Sequence, residues 1–227
     1  MPGTLRAHRT HHRREAAISA DKALSWAYCE DAVVEDDVLR RARERAAQLG
    51  CQAVLPGAGA VLRLLAAASR ARAVVEVGTG TGVASLYLLR GMPEDGVLTS
   101  IDVEVEHQRA ARAAFGEAGI RPARTRMISG RAQDVLPRLT DAAYDLVLVD
   151  ADPEGTPDHV EQAVRLLRPG GVLAVDDALW GDRVADPARR DPATTTMREV
   201  VRSVLADERL VPALVTSGDG LLLAARR

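Results

Sequence analysis

The stretch Ala73-Val74-Val75-Glu76-Val77-Gly78-Thr79-Gly80-Thr81-Gly82-Val83 decides the fold. Val74, Val75 and Val77 make an apolar, β-branched run that reads as a buried parallel strand. The chain then breaks at Gly78, Gly80 and Gly82, and Ala84-Ser-Leu-Tyr-Leu-Leu-Arg90 continues as a helix. Strand, glycine turn and helix form a nucleotide-binding arrangement. The glycines let the backbone turn sharply and approach a ligand, and the new helix offers unpaired N–H groups. A glycine triplet alone is a weak signal, so the residues around it must discriminate.

Two acids do so. Glu76 stands on the strand just before the first glycine, where a carboxylate repels a pyrophosphate and attracts an ammonium. The next strand, Val97-Leu-Thr-Ser-Ile-Asp102, ends in an acid suited to accept hydrogen bonds from two ribose hydroxyls. A ligand with a ribose, a positive amino-acid end and no phosphates satisfies both acids. S-adenosylmethionine has that chemistry.

Outward from this stretch the alternation is regular. Strands are expected at 73–78, 97–102, 125–129, 144–150 and 171–176, and helices at 82–91, 104–118, 131–138 and 157–168. Repeated strand then helix means an α/β fold: a parallel sheet covered on both faces, with ligands at the carboxyl ends of the strands. Pro169-Gly-Gly171 reads as a helix stop feeding the fifth strand. The tail changes rhythm. After a helix at about 194–207, strands at 209–216 and 220–226 are separated only by Gly218-Asp-Gly220, which is hairpin spacing. One of the last two strands must therefore run antiparallel to the rest.

Before Ala73, helices are expected at 21–31, with Trp26 and Cys29 on one face, at 36–49, closed by Gly50, and at 58–70. Residues 1–20, with Arg6, His8, Arg9, His11, His12, Arg13 and Arg14, read as a disordered basic arm. Its histidines have no acidic or cysteine companions that would make a metal site. The division is thus an arm at 1–20, helices at 21–70 suited to lid or dimer contacts, and a cofactor-binding catalytic domain at 71–227.

The 227 residues are enough for one α/β domain with short appendages. A hydrophobic content of 47% and a charged content of 27% are those of an ordinary globular protein. A net charge of −2 gives no electrostatic footprint for nucleic acid. No apolar run suits a membrane span or a signal peptide. Cys29 and Cys51 belong to no paired motif and read as reduced, buried thiols in a cytoplasmic protein. Lys22 is the only lysine, so the main domain has no lysine to act as a base.

The chemistry-bearing residues beyond the glycine turn are acids. Tyr144-Asp-Leu-Val-Leu-Val-Asp150-Ala-Asp152 and Gly171-Val-Leu-Ala-Val-Asp176-Asp177 are buried strands that each deliver carboxylates at their carboxyl ends. Such a cluster is costly unless a cation or a bound substrate compensates it. Asp150, Asp176 and Asp177 form an all-oxygen set suited to Mg²⁺, Mn²⁺ or Ca²⁺. The alternative reading is that the acids cap the following loops, and for Asp152 that reading is preferred.

With these residues on the page, the chain resembles the cation-dependent O-methyltransferases, the group that includes catechol and caffeoyl-CoA O-methyltransferases, and most of all their actinobacterial members. The resemblance runs from about Val54 to the C-terminus. It rests on Val75-Glu-Val-Gly-Thr-Gly-Thr-Gly82, Ile101-Asp102, Ser129-Gly-Arg-Ala-Gln133, Val149-Asp-Ala-Asp152, Asp176-Asp-Ala-Leu-Trp180 and Gly218-Asp-Gly-Leu221, in that order and spacing. It implies a class I methyltransferase, Rossmann-like fold: seven mostly parallel strands with an antiparallel C-terminal hairpin and helices on both faces. It implies that Val54, Glu76, Gly78, Thr79 and Gly80 hold the methionine end of the cofactor, that Asp102 holds the ribose, and that Ala132 and Gln133 border the adenine. Asp150 is expected beside the methyl group, at the carboxyl end of the fourth strand. It also implies a homodimer and a small hydroxylated acceptor.

Three positions depart from the family pattern. The serine eight residues after the motif acid is Ala84 here, with Ser85 beside it as the substitute contact. The family's Asp-Asn metal pair is Asp176-Asp177, and its lysine after Asp-Ala-Asp is Pro153. Proline takes no proton. Asp150 or Asp177 is then the candidate base, alone or helped by a divalent ion, and Trp180, Trp26 and Tyr28 are candidates to wall a planar acceptor. Two other functions remain open. One is a protein that holds the cofactor without turnover, and the other is a nucleotide-dependent oxidoreductase, which the glycine run and Asp102 fit but Glu76, the hairpin tail, Asp150, Asp176 and Asp177 disfavour.

Overall fold

Residues 20–227 are described by a computed structural model, and the reading of residues 1–20 as an arm falls almost wholly outside them. Three helices come first: α1 (Ala20–Asp31), α2 (Asp37–Leu49) and α3 (Pro56–Ala68). Strand–helix alternation then runs through β1 (Ala73–Val77), α4 (Val83–Gly91), β2 (Val97–Asp102), α5 (Val105–Glu117), β3 (Thr125–Ser129), α6 (Ala132–Val135), β4 (Tyr144–Val149), α7 (Thr156–Leu166) and β5 (Leu167–Val175). The tail is α8 (Pro192–Ala206), β6 (Leu210–Val215) and β7 (Leu221–Arg226). The sheet has seven strands in the order β3-β2-β1-β4-β5-β7-β6. β7 is the strand that runs antiparallel, to both β5 and β6.

The strand order reverses between β2 and β4, on either side of β1. A doubly wound sheet opens its ligand crevice at such a point, outside the carboxyl ends of the strands. Alternation along the strands divides the core in two. Val74, Leu98, Leu146 and Leu148 face one side, where they pack with residues of α2, α3, α4 and α5. Val75, Val77, Ile101, Val147 and Val149 face the other, with residues of α7 and α8. Glu76 and Ser100 fall in the first register, so both are carried to the face covered by α4. A carboxylate in the middle of an apolar layer is thereby forced to find its partners there.

The local signals for the N-terminal helices behave as expected. Asp36 caps α2 by accepting from the Leu39 N–H, and Gly50 closes it with a left-handed φ of 68°. Asp191 caps α8 in the same way, with Pro192 in its first turn. α1 is fixed by Glu30, which is buried and accepts from the Gly57 N–H at 2.7 Å and the Gly218 N–H at 2.8 Å. The Trp26 indole N–H donates to the Gly218 carbonyl at 3.1 Å. α1 is thus tied to both the start of α3 and the tip of the β6–β7 hairpin.

Four expectations need correction. β5 begins at Leu167 rather than 171, because the chain pairs with Tyr144 before Pro169-Gly170-Gly171 and the register then shifts across an irregularity. The helix stop is therefore a bulge inside the strand. β1, β4 and β5 each end one residue early, so Gly78, Asp150 and Asp176 are the first residues beyond their strands. The expected helix at 131–138 is α6 followed by one 3₁₀ turn, Leu136–Arg138, as Pro137 removes a backbone donor. Cys29 is exposed and Cys51 half-buried, so neither is a core thiol. Glu30 takes the buried face of α1 and leaves Cys29, one residue earlier, on the outside.

Candidate active site

The glycine turn between β1 and α4 is built on backbone contact. The Gly78 N–H donates to the Ile101 carbonyl of β2 at 2.9 Å, and the Asp150 N–H donates to the Val77 carbonyl at 2.8 Å. Gly78 has φ +91°, and a Cβ placed on it would lie 1.7 Å from the Asp150 carbonyl oxygen. Only glycine lets the turn and the Asp150 loop approach this closely.

Asp102 closes the turn from the side. One carboxylate oxygen accepts from the Thr79 N–H at 3.0 Å and the Gly80 N–H at 2.9 Å, and the other from the Glu104 N–H at 2.8 Å. His107 Nδ1 stands 3.6 Å from the first oxygen. Asp102 therefore already shapes the turn, and the remaining lone pairs of its oxygens are what it has left for a ligand.

Glu76 is wholly buried. Its Oε2 accepts from both the Ser85 and Ser100 hydroxyls at 2.5 Å, while Oε1 has no partner. Burial pushes its carboxyl up to about 7, the Asp102 charge adds to the rise, and the two serine hydroxyls oppose it. Ser85 spends its hydroxyl on Glu76. Thr79 is buried, with its Oγ1 at 2.6 Å from Ser100 Oγ. Gly80 (φ +48°) faces Cys51 and the Gln52 carbonyl. Val54 is buried in the segment between α2 and α3. Ala132 opens α6 against the second core, and Gln133 is exposed beside it.

The acids after β4 and β5 form one electrostatic neighbourhood. Asp150 is raised by burial first, then by the charges of Asp177, Glu76 and Asp102. Asp176 is raised by burial and by Asp150, Asp177 and Asp219, and its Oδ1 is buried without a partner. Asp177 is pushed up to about 6 by burial and by Asp219. Burial leads the rise in all three, and neighbouring carboxylates add to it. The expected coordination shell is not formed: among the described residues, no three His, Cys, Asp or Glu side chains are grouped to hold a metal ion. The donor set fits a hard divalent ion in its chemistry, with the buried, unpartnered Asp176 oxygen its clearest mark, but not in a closed geometry.

The segment after Asp176 is under backbone constraint. Asp177, Trp180 and Asp182 have φ of 53°, 49° and 59°, three of the five left-handed non-glycine residues among those described. Such strain persists only where neighbours enforce it. The enforcing group is the hairpin turn. Ala178 and Leu179 N–H groups donate to the Gly220 and Asp219 carbonyls, and the Asp219 carboxylate accepts from the Gly181 N–H at 2.6 Å. Trp180 is half-buried against the second core. Trp26 and Tyr28 are exposed on α1, Tyr28 at 76%. Pro153 is buried in the loop between β4 and α7.

Ser100 and Asp219 escape a reading of the sequence. Ser100 is betrayed only by being a polar residue in a buried strand, level with Glu76 in the parallel register. Asp219 looks like an ordinary turn residue between two glycines.

The geometry defines a class I methyltransferase fold with a carboxylate-flanked glycine turn. The family model described as O-methyltransferase matches residues 29–227. The chain belongs to that O-methyltransferase family. It is 57% identical over 201 residues to a Mycobacterium tuberculosis protein that carries an O-methyltransferase name, covering 88% of this chain and 90% of that one. A solved Corynebacterium glutamicum protein superposes with a TM-score of 0.83 at 34% identity, covering 92% of this chain and 97% of that one. The O-methyltransferase TomG from Streptomyces achromogenes, involved in tomaymycin synthesis and solved in complex with S-adenosylmethionine, gives 0.79 at 30%, covering 89% and 96%.

Proposed function

We propose that the protein is an S-adenosylmethionine-dependent O-methyltransferase acting on a small hydroxylated acceptor of the catechol-like kind. The observation that carries this reading is the pair of buried carboxylates, Glu76 and Asp102, on either side of the glycine turn. Glu76 disfavours a pyrophosphate, and so an oxidoreductase cofactor, and suits an ammonium, while Asp102 suits a ribose. TomG, of the same fold, was solved with S-adenosylmethionine.

The bound cofactor supplies an electrophilic sulfonium methyl. Glu76, Gly78, Thr79 and Gly80 hold its methionine end with Val54 packed beside them, Asp102 takes the ribose, and Ala132 and Gln133 border the adenine. With the cofactor bound, the methyl would pass from sulfur to an acceptor hydroxyl oxygen, and a carboxylate of this chain would take the hydroxyl proton. Asp150 and Asp177 are the candidate bases, since burial raises both, with the Asp177 charge adding to the rise at Asp150 and the Asp219 charge to that at Asp177. Buried Pro153, in the place of the family lysine, favours a second reading, a protein that holds cofactor without turnover.

A divalent ion held by Asp150, Asp176 and Asp177 would add Lewis acidity at the acceptor oxygen. Calorimetric titration of Mg²⁺ or Mn²⁺ into chelator-treated protein, with and without S-adenosylhomocysteine, is expected to give weak binding. Asp177→Asn should retain it and Asp150→Ala should lose it. No binding heat in either state would make the transfer metal-independent.

We assign residues 71–227 to cofactor binding and catalysis, and the helices at 21–70 to lid and dimer contacts. Leu24 on α1 is 69% exposed and Val34 after it 92% exposed, apolar surface that a second subunit would cover. Light scattering at micromolar concentration should return the mass of a homodimer, and a monomer mass would reject that assignment. Among the described residues, no helix is long and apolar enough to cross a membrane. Two unpaired thiols fit a reducing, cytoplasmic setting, and the balanced charge gives nucleic acid no footprint.

A further inference from the structure

Glu76 has two unlike oxygens. Oε2 takes the hydroxyls of Ser85, from α4, and Ser100, from β2, while Oε1, equally buried, takes nothing. The donor count fixes the direction of the rest. Ser100 has one hydroxyl proton, and an ionised carboxylate can only accept, so the Ser100 O–H donates to Glu76. The 2.6 Å contact between Thr79 Oγ1 and Ser100 Oγ must then run from Thr79 to Ser100. Thr79 is a residue of the glycine turn itself, its N–H held by Asp102 at 3.0 Å. A chain of donors thus leads from the turn, through Ser100, to the far side of the glutamate.

We propose that Thr79, Ser100 and Ser85 form a three-hydroxyl relay that favours the ionised form of Glu76 and fixes its rotation, reserving Oε1 for a cationic ammonium, and that Ser100 and Ser85 are therefore positioning residues for the cofactor. This deepens the reading in which the methionine end of the cofactor meets Glu76, and rests on it. The charged groups near Glu76 on the flanking strands are Asp102, the last residue of β2, and Asp150, just after β4. Both are negative, and burial acts in the same sense. The hydroxyls are what oppose protonation. A ligand ammonium favours the charged carboxylate as well, so binding near pH 7 must expel the proton that part of the protein carries at Glu76. Without the relay that share grows.

The test is calorimetric titration of S-adenosylhomocysteine into the intact protein between pH 6 and 8.5. At each pH, two buffers of different ionisation enthalpy count the protons exchanged. The ligand's own amine titrates alike with every variant, so differences between variants isolate the protein. Ser100→Ala is expected to weaken binding about tenfold at pH 6.5, from loss of a hydrogen bond to a charged group. The gap should narrow toward pH 8.5, with more protons released at pH 7.5 than by the parent. Ser100→Thr, which keeps a hydroxyl, should restore both readouts. Ser85→Ala tests the same relay from α4 should Ser100→Ala fold poorly. A loss equal at every pH with unchanged proton release would reduce the serines to packing residues and overturn the proposal. Glu76→Gln separates the underlying reading. If it binds like the parent, the ammonium does not sit at Glu76. If it loses binding while both serine variants keep the parental pH profile, the cofactor reading stands and the relay fails.

Discussion

Gly78→Ala is expected to abolish cofactor binding and to cost the fold about 3 kcal/mol or more, among the larger effects a single methyl can have. The new Cβ would lie 1.7 Å from the Asp150 carbonyl oxygen, and the φ of +91° is already one that L residues rarely adopt. No side-chain rotation relieves a clash with backbone. The turn and the Asp150 loop must separate, which breaks the 2.8 Å bond from the Asp150 N–H to the Val77 carbonyl. Two halves of the site move apart together. Thermal unfolding followed by circular dichroism measures the first effect and titration with S-adenosylhomocysteine the second. A variant with parental affinity would mean that the cofactor does not lie against this turn.

Asp102→Ala is the second large effect, a loss of about 1–3 kcal/mol in cofactor affinity. Two contributions combine. The ribose loses its charged acceptor, and the Thr79 and Gly80 N–H groups lose the oxygen that holds them at 3.0 and 2.9 Å. Asp102→Asn distinguishes the two, since its amide oxygen can still accept from the turn while the charge is gone. An intermediate affinity for Asn assigns part of the effect to the turn. Unchanged affinity in both variants, read by calorimetry on folded protein, would put the ribose elsewhere and undo the role given to the end of β2.

The fold was legible because its signals are local and repeated. Valine-rich runs, glycine after the first of them, and a two-strand tail around Gly218-Asp219-Gly220 are features a linear reading can find. The boundary of β5 was not legible, since Pro169 and two glycines announce a stop while pairing with Tyr144 carries the strand through them. Tertiary pairing overrode turn chemistry there. At the site, the identities of Glu76, Asp102, Asp150, Asp176 and Asp177 were readable as acids at strand ends, but their environments were not. Burial of Glu76, and the hydroxyls that meet it, depend on α4 lying over one face of the sheet. The burial that raises Asp150, Asp176 and Asp177 depends on how the loops after β4 and β5 pack, which no spacing rule reports. The exposure of Cys29 follows from Glu30 taking the inward position on α1, which depends on where Gly57 and Gly218 bring their N–H groups.

Transfer of a methyl group from a sulfonium to a hydroxyl oxygen at this site is measured by incubating the protein with deuteromethyl S-adenosylmethionine and a panel of small catechols and phenols, with and without Mg²⁺. Mass spectrometry with fragmentation then locates the label. A trideuteromethyl group is expected on a hydroxyl oxygen of at least one acceptor, formed by the parent and not by Asp150→Ala. Label found only on nitrogen or carbon, or no label transferred to any acceptor by a protein that binds S-adenosylhomocysteine tightly, would contradict transfer to oxygen.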